Sequence, residues 1–337
     1  MRMNLHILSV MTLGVLTIGC AKIEHSPTPS SQHLIGYEVI EDKPASKAAF
    51  PTTEKFMSTA YKLGSGLAWD ADKADAEQYF DNLQEEVSYE DLYWKTNKEY
   101  YWPHYGESLT FFSYTPTDIG ATISIDGVSV TGWNVVSKYG KVILVADIAK
   151  DKTKNESYAG FSGVPTLFRH KLSKVSFRVA KSSFAEEGVD VSIKSIKIVD
   201  IYVQGNYSRG GYSNDAWSGW SGLRDELDPY YVVYYDSAGE ILDKTPVQKG
   251  TDMIMIPQML SAEGDRHPRV LVEYTTSADA TIKSAECFFV ENFRSGQWAK
   301  GQHYTYTIYI GVGQYPIEFD GGVSEWSSSD LGSVTVN

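Results

Sequence analysis

The chain has 337 residues, a formal net charge of -13 and a pI near 5.0; it is 42% hydrophobic and 13% aromatic. That length supports a packed core and about two domains, and the acidic balance repels phosphate backbones, which excludes nucleic acid as a partner. Cysteine occurs only at Cys20 and Cys287; with Cys20 engaged elsewhere no internal disulfide can form, so stability must come from burial.

Residues 1–19 read as an export signal. Arg2 supplies the positive start, and an apolar run over residues 5–18 carries no acidic residue. The run is too short for a stable bilayer anchor. It ends at Gly19-Cys20, similar to a lipobox with Leu16 one place early, so Cys20 is the expected lipidation site. Several acyl chains there would hold the chain on a membrane. Residues 20–33, with Pro27, Pro29 and several Ser and Thr, form a tether.

The first folded stretch is residues 34–40, where Ile35, Tyr37 and Val39 alternate on one face of a strand. Small and polar residues follow over 41–49, an accessible place for a protease. Residues 56–63 read as a strand. Residues 70–87 carry a helical stripe, although 85–89 could equally begin a strand. Aromatic segments on either side of Thr96-Asn97-Lys98 predict a hairpin, as does Asp126-Gly127 between alternating apolar residues. Residues 142–148 read as a central strand.

A domain boundary is expected near residue 163, giving domains over 34–163 and 164–337. Beyond it, Val175, Phe177 and Val179 restart the alternation. The phase slips at Lys194-Ser195 and Val199-Asp200, which predicts bulges or bends. Residues 205–222 read as a long loop. Two short strands are expected on either side of Asp236-Ser237-Ala238-Gly239, itself a turn or a short O-glycosylation motif. Many short strands with closely spaced turns indicate an all-β chain of antiparallel sandwiches. A last β-pattern, residues 333–337, follows Trp326 and a serine-rich hinge, and reads as a tail that joins one subunit to another.

Chemistry-bearing motifs are sparse. The histidines are scattered without zinc-ligand spacing, and no nucleophile elbow or phosphate loop occurs. No cofactor is expected, and the chain reads as non-enzymatic. Cys287, in an apolar strand, reads as an inert small hydrophobe. Trp217 and Trp220 could stack on a sugar ring, but a long loop also needs large side chains to pack its own underside.

Tyr100-Tyr101-Trp102-Pro103, followed by Leu109-Thr110-Phe111-Phe112-Ser113-Tyr114-Thr115-Pro116, resembles the first-domain signature of the fimbrillins of Bacteroidales. Later landmarks of that family are similar to Phe168-Arg169-His170-Lys171-Leu172, Met253-Ile254-Met255-Ile256-Pro257 and the segment from Trp298 to Trp326. The resemblance covers essentially the whole chain after the signal.

It implies two transthyretin-like β-sandwich domains in tandem and a fimbrial subunit serving adhesion. It also implies an outer-membrane lipoprotein precursor, a trypsin-like processing protease, other fimbrial subunits as partners, and a host or bacterial surface receptor. In that route the protease removes the leader with the first strand, and a terminal strand of the next subunit fills the groove. Here the displaced residues would be Ile35, Tyr37 and Val39. The cut would follow Lys47, or Lys43, which precedes Pro44; no arginine lies between Arg2 and Arg169. The donor residues would be Leu331, Val334 and Val336. Burying three such inward side chains represents on the order of 5–9 kcal/mol before entropy costs. The alternatives are a tip adhesin or anchor subunit of the same fimbria, or a monomeric glycan-binding surface lipoprotein.

Overall fold

The computed structural model describes residues 34–41, 48–104, 106–158, 161–185, 187–209, 219–225, 230–312 and 317–326. Strands are numbered in chain order. Among the described residues the chain is all-β, with two α-helical turns, α1 (Trp69–Asp72) and α2 (Phe289–Phe293), and one 3-10 turn. Among the described residues no helix is long and apolar enough to cross a membrane.

The first sheet closes on itself. Its ring runs β1 (Tyr37–Glu41), β13 (Phe161–His170), β10 (Leu144–Ala146), β7 (Ser108–Thr115), β3 (Phe56–Leu63), β5 (Glu85–Glu90) and β6 (Tyr93–Thr96), which returns to β1. Pairing of β3 with β7, from Met57↔Tyr114 to Leu63↔Ser108, is the closure. Four short strands attach to the ring: β2 (Ala48–Ala49), β4 (Glu77–Gln78), β11 (Ala149–Lys152) and β12 (Glu156–Tyr158). A closed sheet has no free edge among its members, and its interior holds Phe56, Phe111, Phe168, Val87 and Leu109, all 0–2% exposed.

Two four-stranded sheets make the C-terminal half. One is β19 (Val247–Met255), β14 (Ser173–Lys181), β24 (Gln302–Ile310) and β25 (Glu318–Glu325). The other is β18 (Tyr231–Ile241), β15 (Val191–Val199), β21 (Arg269–Thr276) and β22 (Asp279–Phe288). Val175, Phe177 and Val179 are fully buried, as their alternation predicts, together with Ile193, Ile196, Ile198, Val270 and Val272. A small two-stranded pairing joins β20 (Gln258–Met259) to β23 (Gln297–Trp298).

A fourth sheet ties the halves together. The hairpin β8 (Thr122–Ser124) and β9 (Gly127–Asn134) pairs through β9 with β16 (Gln204–Ser208), which pairs with β17 (Trp220–Arg224). The boundary expected at 163/164 falls inside β13, which belongs to the first ring and runs on to His170.

Several expectations change. The stripe over 70–87 is not one helix: α1 and a 3-10 turn are followed by β4, and β5 begins at Glu85. The hairpin expected around Thr96-Asn97-Lys98 lies one element earlier. β5 and β6 turn through Asp91 and Leu92, both at positive φ (52° and 71°), the geometry of a two-residue hairpin turn. The loop expected over 205–222 contains most of β16 and the start of β17, while residues 210–218 lie outside the described residues. Residues 236–239 do not separate two strands. They bulge within β18, which pairs with β15 on both sides of them, and Lys194 Nζ donates to the carbonyls of Ser237 and Ala238. The bulge predicted at Lys194-Ser195 is present, and the slip at Asp200 is a residue at φ 59° where β15 ends.

Candidate functional site

The site is the groove that β1 fills. On one side β1 runs parallel to β13, from Tyr37↔Val164 to Glu41↔Phe168. On the other side it meets β6 at Tyr37↔Trp94 and β2 at Ile40↔Ala49 and Glu41↔Ala48. Ile35, Tyr37 and Val39 are buried at 2%, 3% and 7% exposure. Leu34, Glu38 and Ile40 are buried as well, so both faces of the strand are covered, where the alternation had pointed to one.

Tyr37 is the central anchor. Its ring stands edge-on to Phe56 and Phe111, at 5.4 and 5.9 Å between centroids. Its hydroxyl donates to Ser58 Oγ at 3.1 Å, and Ser113 Oγ donates to the same oxygen at 2.9 Å. Burial pushes the Tyr37 phenol well above the usual range, so it stays a neutral donor. Phe50, just past β2, is buried against Trp94 and Phe168.

Residues 42–47 connect β1 to β2; both candidate cut sites, Lys43 and Lys47, lie there and outside the described residues. Cys20, Trp217 and the donor residues Leu331, Val334 and Val336 also lie outside them. The last described residue is Trp326. It is buried, its N–H donates to Gly301 O at 3.0 Å, and its ring stacks on His170 at 3.9 Å and 13°. The tail therefore departs beside the C-terminal end of β13.

Sequence reasoning missed three residues of the groove. Asn155, on the link from β11 to β12, donates Nδ2–H to Leu34 O at 2.8 Å and accepts from Gly36 N–H at 3.2 Å. Trp102 Nε1–H donates to the same Asn155 oxygen at 3.2 Å. At Gly163 an added Cβ would lie 2.5 Å from the Tyr37 carbonyl carbon. A lone asparagine and a lone glycine carry no periodic signal; only the fold brings them to β1.

Trp220 offers no sugar-stacking face. It is buried beside Tyr207, and its indole N–H donates to Lys171 O at 2.8 Å. Cys287 is buried, and its thiol is pushed up to about 12, as suits a packing residue. Ser176 Oγ lies 2.6 Å from both Asp252 Oδ1 and His303 Nε2. The carboxylate engages the serine and Lys174 rather than standing behind the imidazole, so the arrangement lacks the order of a nucleophile triad. Among the described residues no group of three or more His, Cys, Asp or Glu could hold a metal ion.

Comparison with solved structures finds the same fold in a fimbrial protein from Bacteroides vulgatus, with a TM-score of 0.53 and 16% identity over 88% of this chain and 100% of that one. A protein from Bacteroides uniformis named for cell adhesion is similar, with a TM-score of 0.51 and 14% identity over 89% of this chain and 100% of that one. A search of curated proteins finds no match. The fimbrillin-like family model matches residues 62–326, most of the chain. The chain belongs to the fimbrillin-like family.

Proposed function

We propose that this protein is a structural subunit of a cell-surface fimbrium serving adhesion, assembled by strand exchange at the β1 groove. The precursor is lipidated at Cys20 and carried to the outer membrane surface. A trypsin-like protease cuts after Lys47, or after Lys43, and the segment holding Ile35, Tyr37 and Val39 leaves. A tail from another subunit, with Leu331, Val334 and Val336, then fills the groove. In this reading the two halves are transthyretin-like sandwiches in tandem.

One observation carries the proposal. β1 is buried on both faces in a ring with no free edge, yet residues 42–47 are its one covalent link to the part of the chain that follows it. A covalently central strand could not leave; this one needs a single cut. Its loss exposes apolar walls and two unpaired strand edges, an unstable state that an extended peptide relieves by β-augmentation. Truncation after Trp326 tests the reading. It should leave folded monomers that do not polymerise, and ordinary fibres from that truncation would refute it.

A further inference from the structure

β13 offers β1 a paired backbone only from Val164 onward. Val164 N–H still reaches Gly36 O at 2.7 Å, but for Leu34 O and Gly36 N–H a side chain takes over that edge. The Asn155 carboxamide donates to Leu34 O and accepts from Gly36 N–H, two backbone groups two residues apart on one edge. That is what the peptide group of a neighbouring strand would do. Its orientation is fixed, because the indole N–H of Trp102 and the N–H of Gly36 are both donors and must face oxygen. On the opposite edge Ile35 N–H donates to Tyr100 O at 2.8 Å. Gly163 clears the path, since any Cβ there would meet Tyr37 C at 2.5 Å and Glu38 N at 2.6 Å. Every one of these contacts made to β1 itself is to its backbone, so none depends on which side chains the strand carries.

We propose that Asn155, oriented by Trp102, is a backbone latch that sets the register of any strand filling the groove. The tail of a second copy docks with Leu331-Gly332 in the place of Ile35-Gly36. The sequence carries the alignment. Ile35-Gly36-Tyr37-Glu38-Val39-Ile40 and Leu331-Gly332-Ser333-Val334-Thr335-Val336 share an aliphatic–glycine start and a β-branched end. Leu331 falls out of phase with Val334 and Val336, which a one-sided groove would reject; this groove covers both faces of its strand.

Reach argues for another copy as the donor. The tail departs at Trp326, stacked on His170, and Leu331 would have to lie beyond Val164 at the other end of β13. His170 to Val164 alone spans ~20 Å of strand. The five residues from Trp326 to Leu331 reach at most ~18 Å. Counted from His170, a chain's own tail falls short of this register in the direction of β1, which favours a second copy as the donor.

The inference rests on the strand-exchange reading, and one experiment separates the two. A full chain with a specific protease sequence replacing residues 42–47 is cut, and a labelled peptide of residues 327–337 is added while anisotropy follows binding. The freed N-terminal segment is first removed in denaturant, because a change at Asn155 would weaken it and the peptide alike, and the peptide should then bind the emptied groove. N-methylation at Gly332, which removes the N–H offered to Asn155, should weaken binding roughly threefold to tenfold. Asn155→Ala should weaken the unmodified peptide roughly tenfold or more, and Asn155→Asp, which keeps the acceptor but loses the donor, should fall between. On Asn155→Ala the methylated peptide should lose no more at that contact. Additive losses, or no effect of the methyl group on the unmutated chain, would overturn the latch and leave strand exchange standing. A cut chain that binds no peptide would overturn both.

Discussion

Two strands hold the same place in different halves of the molecule. β1 and β24 are each internal to a sheet, with a parallel neighbour on one side and an antiparallel neighbour on the other. β24 is zipped along its length, to β14 from Lys174↔His303 to Lys181↔Ile310 and to β25 from Gln302↔Glu325 to Tyr309↔Glu318. β1 is paired with β13 over residues 37–41, and on its other edge with β6 at Tyr37 and with β2 at Ile40 and Glu41. β1 has the shorter ladder and leans more on side-chain burial, which is non-directional and follows apolar area; the strand-exchange reading requires a peptide of different sequence to replace β1, and requires nothing of the kind at β24.

The largest expected effect comes from emptying the groove. Tyr37→Ala should cost about 3–5 kcal/mol. Tyr306→Ala in β24 should cost a similar amount, but the two should part company in hydrogen exchange. Tyr37→Ala should raise exchange along β13 and β6 and leave β14 protected. Uniform loss of protection from Tyr37→Ala would erase the distinction between the halves.

Lys171 sits at the joint between them, following β13. Its N–H donates to Ile143 O and its carbonyl accepts from Trp220. Burial, with Arg209, Lys300 and Arg169 nearby, brings its amine down to about 7, against the opposing pull of Asp147. Its pKa is lowered on folding, so above about pH 7 the unfolded chain keeps a proton that the folded chain has released. Stability should therefore rise from about pH 7 toward pH 10, with the full penalty present below. Lys171→Met should be more stable near neutral pH by on the order of 1–4 kcal/mol, and denaturant titrations at several pH values should show that rise removed.

Glycines give a smaller contrast. Gly163→Ala pushes a methyl into the β1 backbone and should cost about 1–3 kcal/mol. Gly322→Ala in β25, where nothing lies within 4 Å of the added carbon, should stay within about 0.5 kcal/mol. Tyr37→Phe falls between these two changes. It removes the hydrogen bond to Ser58 and should cost about 0.5–1.5 kcal/mol by equilibrium denaturation.

Alternation made part of this visible from the chain alone. Ile35, Tyr37 and Val39, and again Val175, Phe177 and Val179, declare buried faces because a period of two is a local property. The phase slip at Lys194-Ser195 is local too, and a bulge stands there. Pairing partners are not local. Aromatic residues around Thr96-Asn97-Lys98 looked like a hairpin, yet β6 pairs back to β5 through Asp91-Leu92. β16 and β17 hid in a stretch rich in glycine and serine, because β9, the partner of β16, lies some 70 residues upstream. Asn155 works at a sequence separation of 119 from Gly36, which no pattern within a segment can announce.

The central claim is that β1 is a temporary occupant of its groove. Determining the N-terminal residue of the subunit within assembled surface fibres tests it most directly. The account predicts that the chain begins at Ala48, or at Pro44, with residues 34–41 gone. Fibres whose subunits still begin at Cys20, with Tyr37 seated between β13 and β6, would contradict it.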